Sequence, residues 1–542
     1  MTIWTVILLL ALSAGCTLAA RTLIHFFQLE SYQFQGYFRT LKRNLLRAIL
    51  PGAILNLVFW AAGVLLVLLI PEDNTWLPGL LLSLILIGTG WLLHQRGKKQ
   101  KAKKAMVVTA RVKRLNLCLF AVILILLWIL VRLAEADPVL FGLPTGRVFM
   151  ALVLIFPFLL PLWTALGGLA AWPIEKGISG MYFRDARKRL LERPDLIKIG
   201  ITGSWGKTSV KFILGTLLQE KYNTLVTPGS FNTPMGVTKV IRNDLQPAHR
   251  VFVAEMGARH VGEISELCRL VGPEIGILTS VGPQHLDTFR TQERVTRTKY
   301  ELMEAIPEDG LCCFADDGGI CRGLYERTGK PKLIAGLDPE KDDVWAENLK
   351  PGPEGSRFDL MLDGERIPCR TRLLGELNIK NIVLCAAVCS RMGLTKEQIR
   401  RGIEKLQPVA HRLELIRHPG NYTVIDDAFN SNIVGAEQAF QTLKGFPGRR
   451  IVVTPGMVEL GDREAAMNRQ FGEKMADCCD LAILVGIRRA ENIREGLNAA
   501  GFPADRVVTV SNLQEAQRWI AANAGPEDVI LFENDLPDNY EG

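Results

Sequence analysis

The sequence predicts an α/β protein: a phosphate-loop domain built on a parallel sheet and then a Rossmann-like domain, preceded by an all-α region of five membrane-spanning helices. Three observations support this prediction. Five long apolar stretches fill the first third of the chain, a glycine-rich turn follows an apolar strand near residue 203, and short apolar runs alternate with helical stretches from there onward. The expected domains are residues 1–175, 176–408 and 409–542.

Length, composition and charge narrow the class of protein. A chain of 542 residues allows roughly three to four domains, and its 48% hydrophobic and 22% charged residues exclude a disordered chain. The net charge of +8 is unevenly distributed, because residues 1–174 carry +11 and the rest carries −3. The basic residues therefore belong to the apolar region, and we expect no nucleic-acid partner. The eleven cysteines lack CxxC spacing, so we expect reduced and mostly buried thiols.

The apolar stretches have the length of membrane spans. Each is close to the roughly 17–25 residues that a spanning helix needs, and they cover residues 1–20, 48–70, 76–93, 115–131 and 148–174. A buried core helix is the alternative for any one of them, but five such stretches with short charged loops favour spans. The first also resembles a secretory signal with a faint lipoprotein box at 12–16, although no basic residue precedes it.

The basic residues between these stretches predict orientation. Lys and Arg concentrate at 39–47 and 96–114, after the first and third stretches, so both loops are expected in the cytoplasm. With five spans, the N-terminus lies outside and everything after residue 174 lies inside. We therefore expect a multi-pass protein of the cell membrane, in contact with the lipid bilayer, whose α/β domains are cytoplasmic. The spans contain almost no ionisable groups, which favours an anchor over an ion path.

A phosphate-binding loop follows the first predicted strand of the α/β region. The eight candidate nucleotide-binding residues are Thr202, Gly203, Ser204, Trp205, Gly206, Lys207, Thr208 and Ser209. Glycines let backbone N–H groups turn toward phosphate oxygens, the lysine supplies a positive charge and the threonine hydroxyl suits Mg²⁺. The strict GxxxxGK[ST] pattern would require glycine where this chain has Ile201. The alternative is a glycine-rich turn with an incidental lysine.

Several motifs in the correct order resemble those of the Mur ligases, which use ATP to join an amino acid or peptide to a carboxylate. Residues 202–208 resemble the family's T-G-x-x-G-K-T loop, and 252–264 resemble its E-x-G-x-x-x-x-G-E-I turn. Further matches are the pair His285-Leu286, the K-x-E-[IL] motif at 299–302 and the G-x-H-N-x-x-N motif at 375–381, in which Leu377 replaces histidine. The pair Asp426-Asp427 and the M-x-E-L-G run at 457–461 look most like the MurF-type branch, which adds D-Ala-D-Ala to a peptidoglycan precursor.

The resemblance implies ATP and Mg²⁺ as cofactors. It also assigns roles to several residues whose amino-acid type alone does not indicate a role. Glu255 is an oxygen donor suited to Mg²⁺, whereas His285 by its type is more often structural and Lys299 more often a surface cation. The resemblance implies that His285 serves a second Mg²⁺ and that a carbamylated Lys299 becomes an anionic ligand near the acyl phosphate. The expected metal site is then Thr208, Glu255, His285 and Lys299, and the expected catalytic residues are Lys207, His285 and Lys299.

Three more residues are expected on the nucleotide. The resemblance implies that Asn381 contacts adenine, Arg412 the phosphates and Asp427 the ribose, closing the C-terminal domain over ATP. Without the motifs, the same residues are equally consistent with a helix-surface amide, a solvated arginine and a turn aspartate.

Two departures from the family pattern bear on the substrate. The resemblance implies an N-terminal domain that binds a UDP-linked substrate, where this chain has apolar helices, and an acidic segment at 532–540 stands where the branch has a Lys-Gly-Ser stretch. We expect a membrane-anchored amide ligase that activates a UDP-linked or lipid-linked carboxylate precursor for attack by an amine such as D-Ala-D-Ala. The alternatives are a polymer ligase resembling poly-γ-glutamate synthetases and an ATP-driven transporter or membrane regulator.

Overall fold

The computed structural model describes most of the chain in two compact units, Met1–Gly180 and Met181–Leu536. The described residues are 2–71, 76–99, 105–136, 139–140, 143–144, 146–284, 286–417, 422–429, 432–458, 460 and 463–534. Several sequence predictions fall outside them: the loop at 72–73, the lysines at 101–104, His285, Asn430, Ser431, Glu459, Gly461 and the tail from Asp535.

The first unit is almost entirely helical. Its elements in chain order are α1 (Ile3–Ala19), α2 (Arg21–Leu29), α3 (Phe34–Arg43), α4 (Leu45–Leu69), α5 (Leu77–Lys99), α6 (Ala110–Ala136), the short strands β1 (Val139–Leu140) and β2 (Leu143–Pro144), α7 (Gly146–Ile155), a 3₁₀ turn (Phe156–Leu159) and α8 (Leu160–Leu191). The last helix continues past the first unit, so the basic connector predicted after the apolar region is part of a long helix.

The helices of this unit have the length and composition of membrane spans. Four described helical stretches qualify, namely Leu45–Leu69, Leu77–Lys98, Ala110–Ala136 and Gly146–Leu191, and a fifth does if α1 and α2 form one span bent by 46°. The first predicted stretch, residues 1–20, corresponds to α1, which ends at Ala19; after a bend of 46°, α2 continues to Leu29. Large apolar side chains point away from the helix contacts, among them Leu57, Val67, Leu68 and Leu117, which are 69–76% exposed.

The second unit begins with a nine-stranded sheet. Its strands are β3 (Ile197–Thr202), β4 (Thr224–Val226), β5 (Val251–Glu255), β6 (Ile275–Leu278), β7 (Leu311–Ala315), β8 (Lys332–Gly336), β9 (Val344–Gly352), β10 (Gly355–Leu362) and β11 (Glu365–Thr371). Its helices are α9 (Lys207–Leu218), α10 (Pro234–Asn243), α11 (Glu263–Val271), α12 (Leu286–Phe289), α13 (Gln292–Ala305), α14 (Ile320–Arg327), α15 (Glu376–Arg391) and α16 (Lys396–Lys405).

The strand order is β11-β10-β9-β8-β7-β6-β3-β5-β4. The strands from β4 to β9 pair in parallel, which confirms the buried strands predicted at 251–254, 275–279 and 311–314. At one edge of this sheet, β9, β10 and β11 form an antiparallel meander that the sequence analysis did not predict. Apolar cores cover both faces of the sheet, one around α9, α15 and α16 and the other around α11, α13 and α14.

A second, six-stranded sheet completes this unit. Its elements are β12 (Glu414–Arg417), β13 (Thr423–Asp427), α17 (Ile433–Lys444), β14 (Arg450–Thr454), α18 (Glu464–Ala476), β15 (Leu481–Val485), α19 (Ile487–Ala499), a 3₁₀ turn (Ala504–Arg506), β16 (Val507–Val510), α20 (Leu513–Asn523) and β17 (Val529–Glu533). The order β12-β13-β17-β14-β15-β16 is parallel except for β12. This arrangement confirms the predicted Rossmann-like pattern. All eleven cysteines of the chain are free, and ten of them are buried.

Candidate functional site

The phosphate loop joins β3 to α9 and depends on its glycines. Gly206 precedes the helix with a φ of 81°, in the left-handed region that glycine adopts without strain. Gly203 also leaves no room for a side chain, because a Cβ there would lie 2.1 Å from Oγ1 of Thr279. The loop therefore packs its backbone directly against the chain that follows the neighbouring strand β6.

Residues after β6 hold two of the loop's amides. The Ser204 N–H donates to the carbonyl oxygen of Ser280 at 2.9 Å, and the Trp205 N–H donates to the Ser280 hydroxyl at 2.8 Å. These two N–H groups are engaged within the protein, although the sequence pattern suggested that they face phosphate. The first turn of α9 offers further N–H groups, because a helix start leaves them without intrahelical partners and adds its positive dipole end.

Lys207 folds back over the loop that precedes it. Its Nζ donates to the carbonyl oxygens of Gly203 and Ser204 at 2.7 and 3.0 Å. Burial lowers the pKa of Lys207 to about 8, an effect that Glu255 opposes and Arg412 reinforces. The side chain is thus a cation whose present acceptors are carbonyl oxygens that phosphate oxygens could replace.

Glu255 lies beside this loop, because it ends β5 next to Ile201 of β3. Its side chain is buried, and Oε2 accepts from the Thr208 hydroxyl at 3.1 Å while Oε1 accepts from the Asn232 amide at 3.0 Å. Burial alone would raise the pKa of Glu255, but nearby lysines outweigh it and hold the pKa below its ordinary value. The carboxylate is therefore ionised and shares its neighbourhood with the loop threonine.

Lys211 is a functional candidate that the motif analysis missed. It is completely buried, its Nζ lies 2.9 Å from Oε2 of Glu255, and it also donates to the carbonyl oxygen of Gly229. The signal was present in the sequence, since residues four apart on a helix share a face and Lys211 follows Lys207 by four. Asn232 had no such signal, because it lies on the irregular loop between β4 and α10.

Lys299 lies on α13 with only 1% of its surface exposed. Burial lowers its pKa well below the ordinary lysine value, and the positive charge of Lys207 lowers it further, while Glu263, Glu301 and Glu255 oppose the shift. The charges of Lys207 and Glu255 therefore act on the pKa of this amine in opposite directions. The amine is therefore mainly neutral over a wider pH range than a solvated lysine.

The other acids of the two matched motifs hold the turn before α11. Glu301 accepts from the N–H groups of Gly262 and Ser265, both at 2.9 Å. Glu263 accepts from the N–H groups of Arg259 and His260 at 2.6 and 3.0 Å. These carboxylates are engaged in positioning the turn and the helix start.

Of the residues expected on the nucleotide, Asn381 lies beside the loop, whereas Asp427 contacts the residue next to Arg412 at the start of the second sheet. Asn381 of α15 is buried, and its Oδ1 would be 3.4 Å from a Cβ placed on Gly206. The Arg412 guanidinium lies 4.3 Å from the ring centre of Phe429, and its pKa is lowered by burial although Asp427, Glu255 and Glu533 all oppose that shift. Burial also raises the pKa of Asp427, which accepts the N–H of Leu413 at 3.1 Å.

The start of the acidic C-terminal segment is not solvated. Glu533 ends β17 beside Asp427 of β13 and is completely buried, and the next residue, Asn534, donates its amide to the carbonyl oxygen of Gly456 at 2.6 Å. These two residues of the acidic segment therefore belong to the interior at the end of the sheet and are not part of a solvated tail.

The donors at Glu255 and Thr208 fit Mg²⁺. Mg²⁺ prefers oxygen ligands and is usually held by one or two carboxylates together with substrate phosphates. Among the described residues, no group of three or more His, Cys, Asp and Glu side chains could enclose a metal ion. The chain thus offers a partial oxygen site of the kind that Mg²⁺ shares with a nucleotide, and His285, expected at a second ion, lies outside the described residues.

Comparison with known protein families matches both sheets of the second unit. The Mur ligase middle domain matches residues 201–389, and the Mur ligase glutamate ligase domain matches residues 411–533, together more than half of the chain. The chain belongs to the Mur ligase family. Mur ligases are carboxylate–amine ligases, so the chain is an enzyme of that class.

Individual Mur ligases give the same result. The UDP-N-acetylmuramoyl-tripeptide–D-alanyl-D-alanine ligase of Escherichia coli is 29% identical over 318 residues, 58% of this chain and 70% of that protein. The enzyme of the same name from Bacillus subtilis is 27% identical over 62% of this chain and 72% of its own length. The crystal structure of MurF from Acinetobacter baumannii has a TM-score of 0.60 and 25% identity, covering 67% of this chain and 78% of that one. MurF of Thermotoga maritima in complex with ADP shares the fold, with a TM-score of 0.59, 24% identity and 66% and 80% coverage.

Proposed function

We propose that this Mur ligase uses ATP and Mg²⁺ to join a peptidoglycan precursor that carries a free carboxylate to the amine of D-Ala-D-Ala, at the cytoplasmic face of a membrane. The observation that supports this most is the buried carboxylate of Glu255, which lies beside the phosphate loop and accepts a hydrogen bond from Thr208 at 3.1 Å. The similarity to D-alanyl-D-alanine ligases over both sheets favours this amine over others.

The arrangement suits the activation of a carboxylate. An oxygen of the substrate carboxylate attacks the γ-phosphorus of ATP, ADP leaves, and an acyl phosphate forms. Because attacking group and phosphate are both anionic, the reaction needs positive groups that are fixed in advance. Lys207, the N–H groups at the start of α9 and Arg412 supply them from three directions.

Mg²⁺, when bound through Glu255 and Thr208, would neutralise phosphate charge and orient the nucleotide. In the second step the amine nitrogen attacks the acyl carbon, the C–O bond to phosphate breaks, and the nitrogen loses a proton as the amide forms. Neither lysine needs to act as a nucleophile in this sequence.

Carbamylation of Lys299 is part of the proposal. A neutral amine adds to CO₂ and releases one proton, which yields a carbamate with two oxygen donors. The lowered pKa of Lys299 favours the neutral amine that this addition requires. The carbamate would turn a buried, unfavourable cation into an anion that Lys207 attracts.

The helical first unit is proposed as a membrane anchor, with the N-terminus outside and the ligase part in the cytoplasm. Its support is the length and composition of the helices and the exposed apolar side chains on their surfaces. Attachment to the bilayer would raise the effective concentration of a precursor held in the same plane. A lipid-linked carboxylate therefore competes with a UDP-linked one as the natural substrate.

Purified full-length protein in a neutral detergent tests this function. ATP, Mg²⁺, D-Ala-D-Ala and either a UDP-linked or a lipid-linked muramyl tripeptide are supplied, and phosphate release and product mass are measured. We expect phosphate release that requires both substrates and a product heavier by one dipeptide residue. Phosphate release that ignores both acceptors would reject the ligase function and favour an ATP-driven transporter.

A further inference from the structure

A pocket in the first unit combines a guanidinium with aromatic side chains. It is lined by Phe27, Tyr32, Phe34, Arg111, Leu115, Gly168, Ala171, Trp172 and Glu175. These residues come from α2, the start of α3, the start of α6 and the later part of α8. The basic residues predicted to face the cytoplasm flank the same ends of the apolar stretches. The pocket therefore lies at the expected boundary between hydrocarbon and cytoplasm.

The carboxylate in the pocket already has a partner. Glu175 is 8% exposed and accepts from Arg114 Nε at 2.5 Å and from Arg114 Nη2 at 3.0 Å. Such a two-point pair uses the planar shape of guanidinium fully and satisfies most of the capacity of the carboxylate. Arg114 and Glu175 therefore form a neutral, structured wall.

Arg111 is the surplus cation of the pocket. Its guanidinium carbon lies 3.8 Å from the ring centre of Tyr32, and its Nε is 3.6 Å from the nearest oxygen of Glu175, too far for a hydrogen bond. Within the described part of the chain, Arg111 donates no hydrogen bond, and 40% of its side chain is exposed. Stacking on the tyrosine fixes the plane of the guanidinium while its N–H groups stay available.

The opposite side of the pocket adds charge and an amphipathic ring. Trp172 is 53% exposed, and the ammonium of Lys176 lies 4.9 Å from its ring centre. Tryptophan at this depth is typical of the headgroup region of a bilayer. Arg111 and Lys176 thus add positive charge beside the paired Arg114 and Glu175, in a site whose other walls are mainly apolar.

We propose that this pocket binds the phosphate group of an anionic membrane lipid, with Arg111 as its main ligand. Arg111 can donate two N–H···O bonds to a phosphate, the aromatic walls can contact the glycerol or prenyl carbons next to it, and the positive charge favours an anionic over a zwitterionic headgroup. The site is separate from the ligase chemistry: this proposal rests on the membrane anchor proposed above, but not on the proposed substrates.

Native mass spectrometry of the full chain tests this proposal. The protein is released from neutral micelles that contain equal amounts of phosphatidic acid and phosphatidylcholine with the same acyl chains, and retained lipid is counted. We expect one preferentially retained phosphatidic acid per chain. The variant Arg111→Gln should lose this preference by about tenfold or more, because a hydrogen bond to a charged group disappears.

Two variants keep the result interpretable. Arg132→Gln removes an exposed arginine from the other end of the same helix, where it pairs with Glu135 at 2.8 Å, and should retain the lipid as the unmodified protein does. Arg111→Lys keeps the charge but loses the planar set of N–H donors, so its preference for phosphatidic acid should be intermediate. This variant replaces Arg111→Gln in the experiment if Arg111→Gln does not fold.

Each possible result of this experiment either supports or overturns the lipid site. Equal retention by Arg111→Gln, Arg132→Gln and the unmodified protein would overturn the proposal, and so would equal retention of both lipids. Displacement of phosphatidic acid by an equal concentration of inorganic phosphate would overturn the lipid as the source of the phosphate. Resistance to that competitor, together with the loss in Arg111→Gln, supports the site.

Discussion

The Nζ of Lys211 lies 2.9 Å from Oε2 of Glu255, and neither side chain has more than 1% of its surface exposed. A buried ion pair of this kind costs much desolvation, and removing one partner leaves the other charge uncompensated. Lys211 thus balances a carboxylate that would otherwise be too unstable to keep ionised before a metal ion arrives. Its second bond, to Gly229, links the same carboxylate to the loop that carries Asn232.

The variant Lys211→Met should lower the thermal stability of the protein strongly. Loss of one member of a buried ion pair typically costs about 3–5 kcal/mol, and the Tm in detergent should fall accordingly. Added Mg²⁺ should raise the Tm of this variant more than that of the unmodified protein, because the ion replaces the missing charge.

A matched control is Lys474→Met, which removes a lysine from a partly exposed pair with Glu437. Surface pairs contribute about 0–1 kcal/mol, so its Tm should hardly change and should not respond to Mg²⁺ differently. A Tm for Lys211→Met that equals the control would contradict the role of Lys211.

Replacement of Lys299 tests the proposed carbamate. Lys299→Ala should abolish ligase turnover, and added short carboxylates such as acetate or formate should restore part of it by occupying the vacated ligand position. The readout is substrate-dependent phosphate release with and without the added acid. Loss of turnover that no small carboxylate restores, in a variant with unchanged Tm, would speak against the anionic role.

Lys299 also predicts a pH dependence of stability. Its pKa in the folded protein is well below the ordinary lysine value, so the folded state binds fewer protons than the unfolded state between these two values. Stability therefore rises with pH across that window, and the penalty from Lys299 disappears above the unfolded pKa. In CO₂-free buffer, where Lys299 carries no carbamate, Lys299→Met removes the penalty, so its Tm advantage over the unmodified protein should shrink as the pH rises from neutral to alkaline. An advantage that is constant with pH would show that the lysine is not destabilised by burial.

Trp205 and Gly282 give a prediction about the phosphate loop. A Cβ on Gly282 would lie 2.2 Å from the Trp205 ring, so Gly282→Ala must displace the indole and the loop that carries it. We expect the KM for ATP to rise at least about tenfold, since small misplacements of binding groups are costly. The double variant Trp205→Leu, Gly282→Ala should recover most of the loss, whereas the surface change Gly323→Ala, which meets no atom within 4 Å, should have no effect. If the double variant instead raises the KM for ATP by the combined effect of the two single changes, the proposed contact between Trp205 and residue 282 is contradicted.

The antiparallel edge of the first sheet shows what the sequence analysis missed and why. Long apolar runs predict buried parallel strands well, which is why β5, β6 and β7 were found within one residue of their bounds. The meander alternates buried and exposed positions instead, as in β11. Its signal was the pair Asp363-Gly364, where both φ angles are positive and a two-residue turn joins β10 to β11.

The site was predictable to the extent that its residues lie on local motifs. Lys207, Thr208 and Glu255 were found because a glycine turn and a strand end mark them in the sequence. Asn232 approaches Glu255 through an irregular loop, and no spacing rule connects the two residues. The helix α2 was not predicted, because it begins at Arg21, just after the apolar stretch ends, and is amphipathic rather than uniformly apolar.

Membrane topology can be measured with reporter fusions to the full chain. A fluorescent protein fused after the last residue should fold and fluoresce, because we expect that end in the cytoplasm, and alkaline phosphatase at the same position should be inactive. The protein should remain in the membrane after an alkaline carbonate wash. Active phosphatase at the C-terminus, or release by the wash, would reject the proposed anchor and orientation.

The transfer of oxygen from the substrate carboxylate to phosphate tests the central claim most directly. The muramyl tripeptide is labelled with ¹⁸O in both oxygens of its reacting carboxylate, and the phosphate released in the presence of ATP, Mg²⁺ and D-Ala-D-Ala is analysed by mass. If a carboxylate oxygen attacks the γ-phosphorus and an amine then displaces phosphate, each phosphate carries one ¹⁸O and each amide product retains one. Unlabelled phosphate would mean that water, and not the carboxylate, attacks ATP, and would contradict the account.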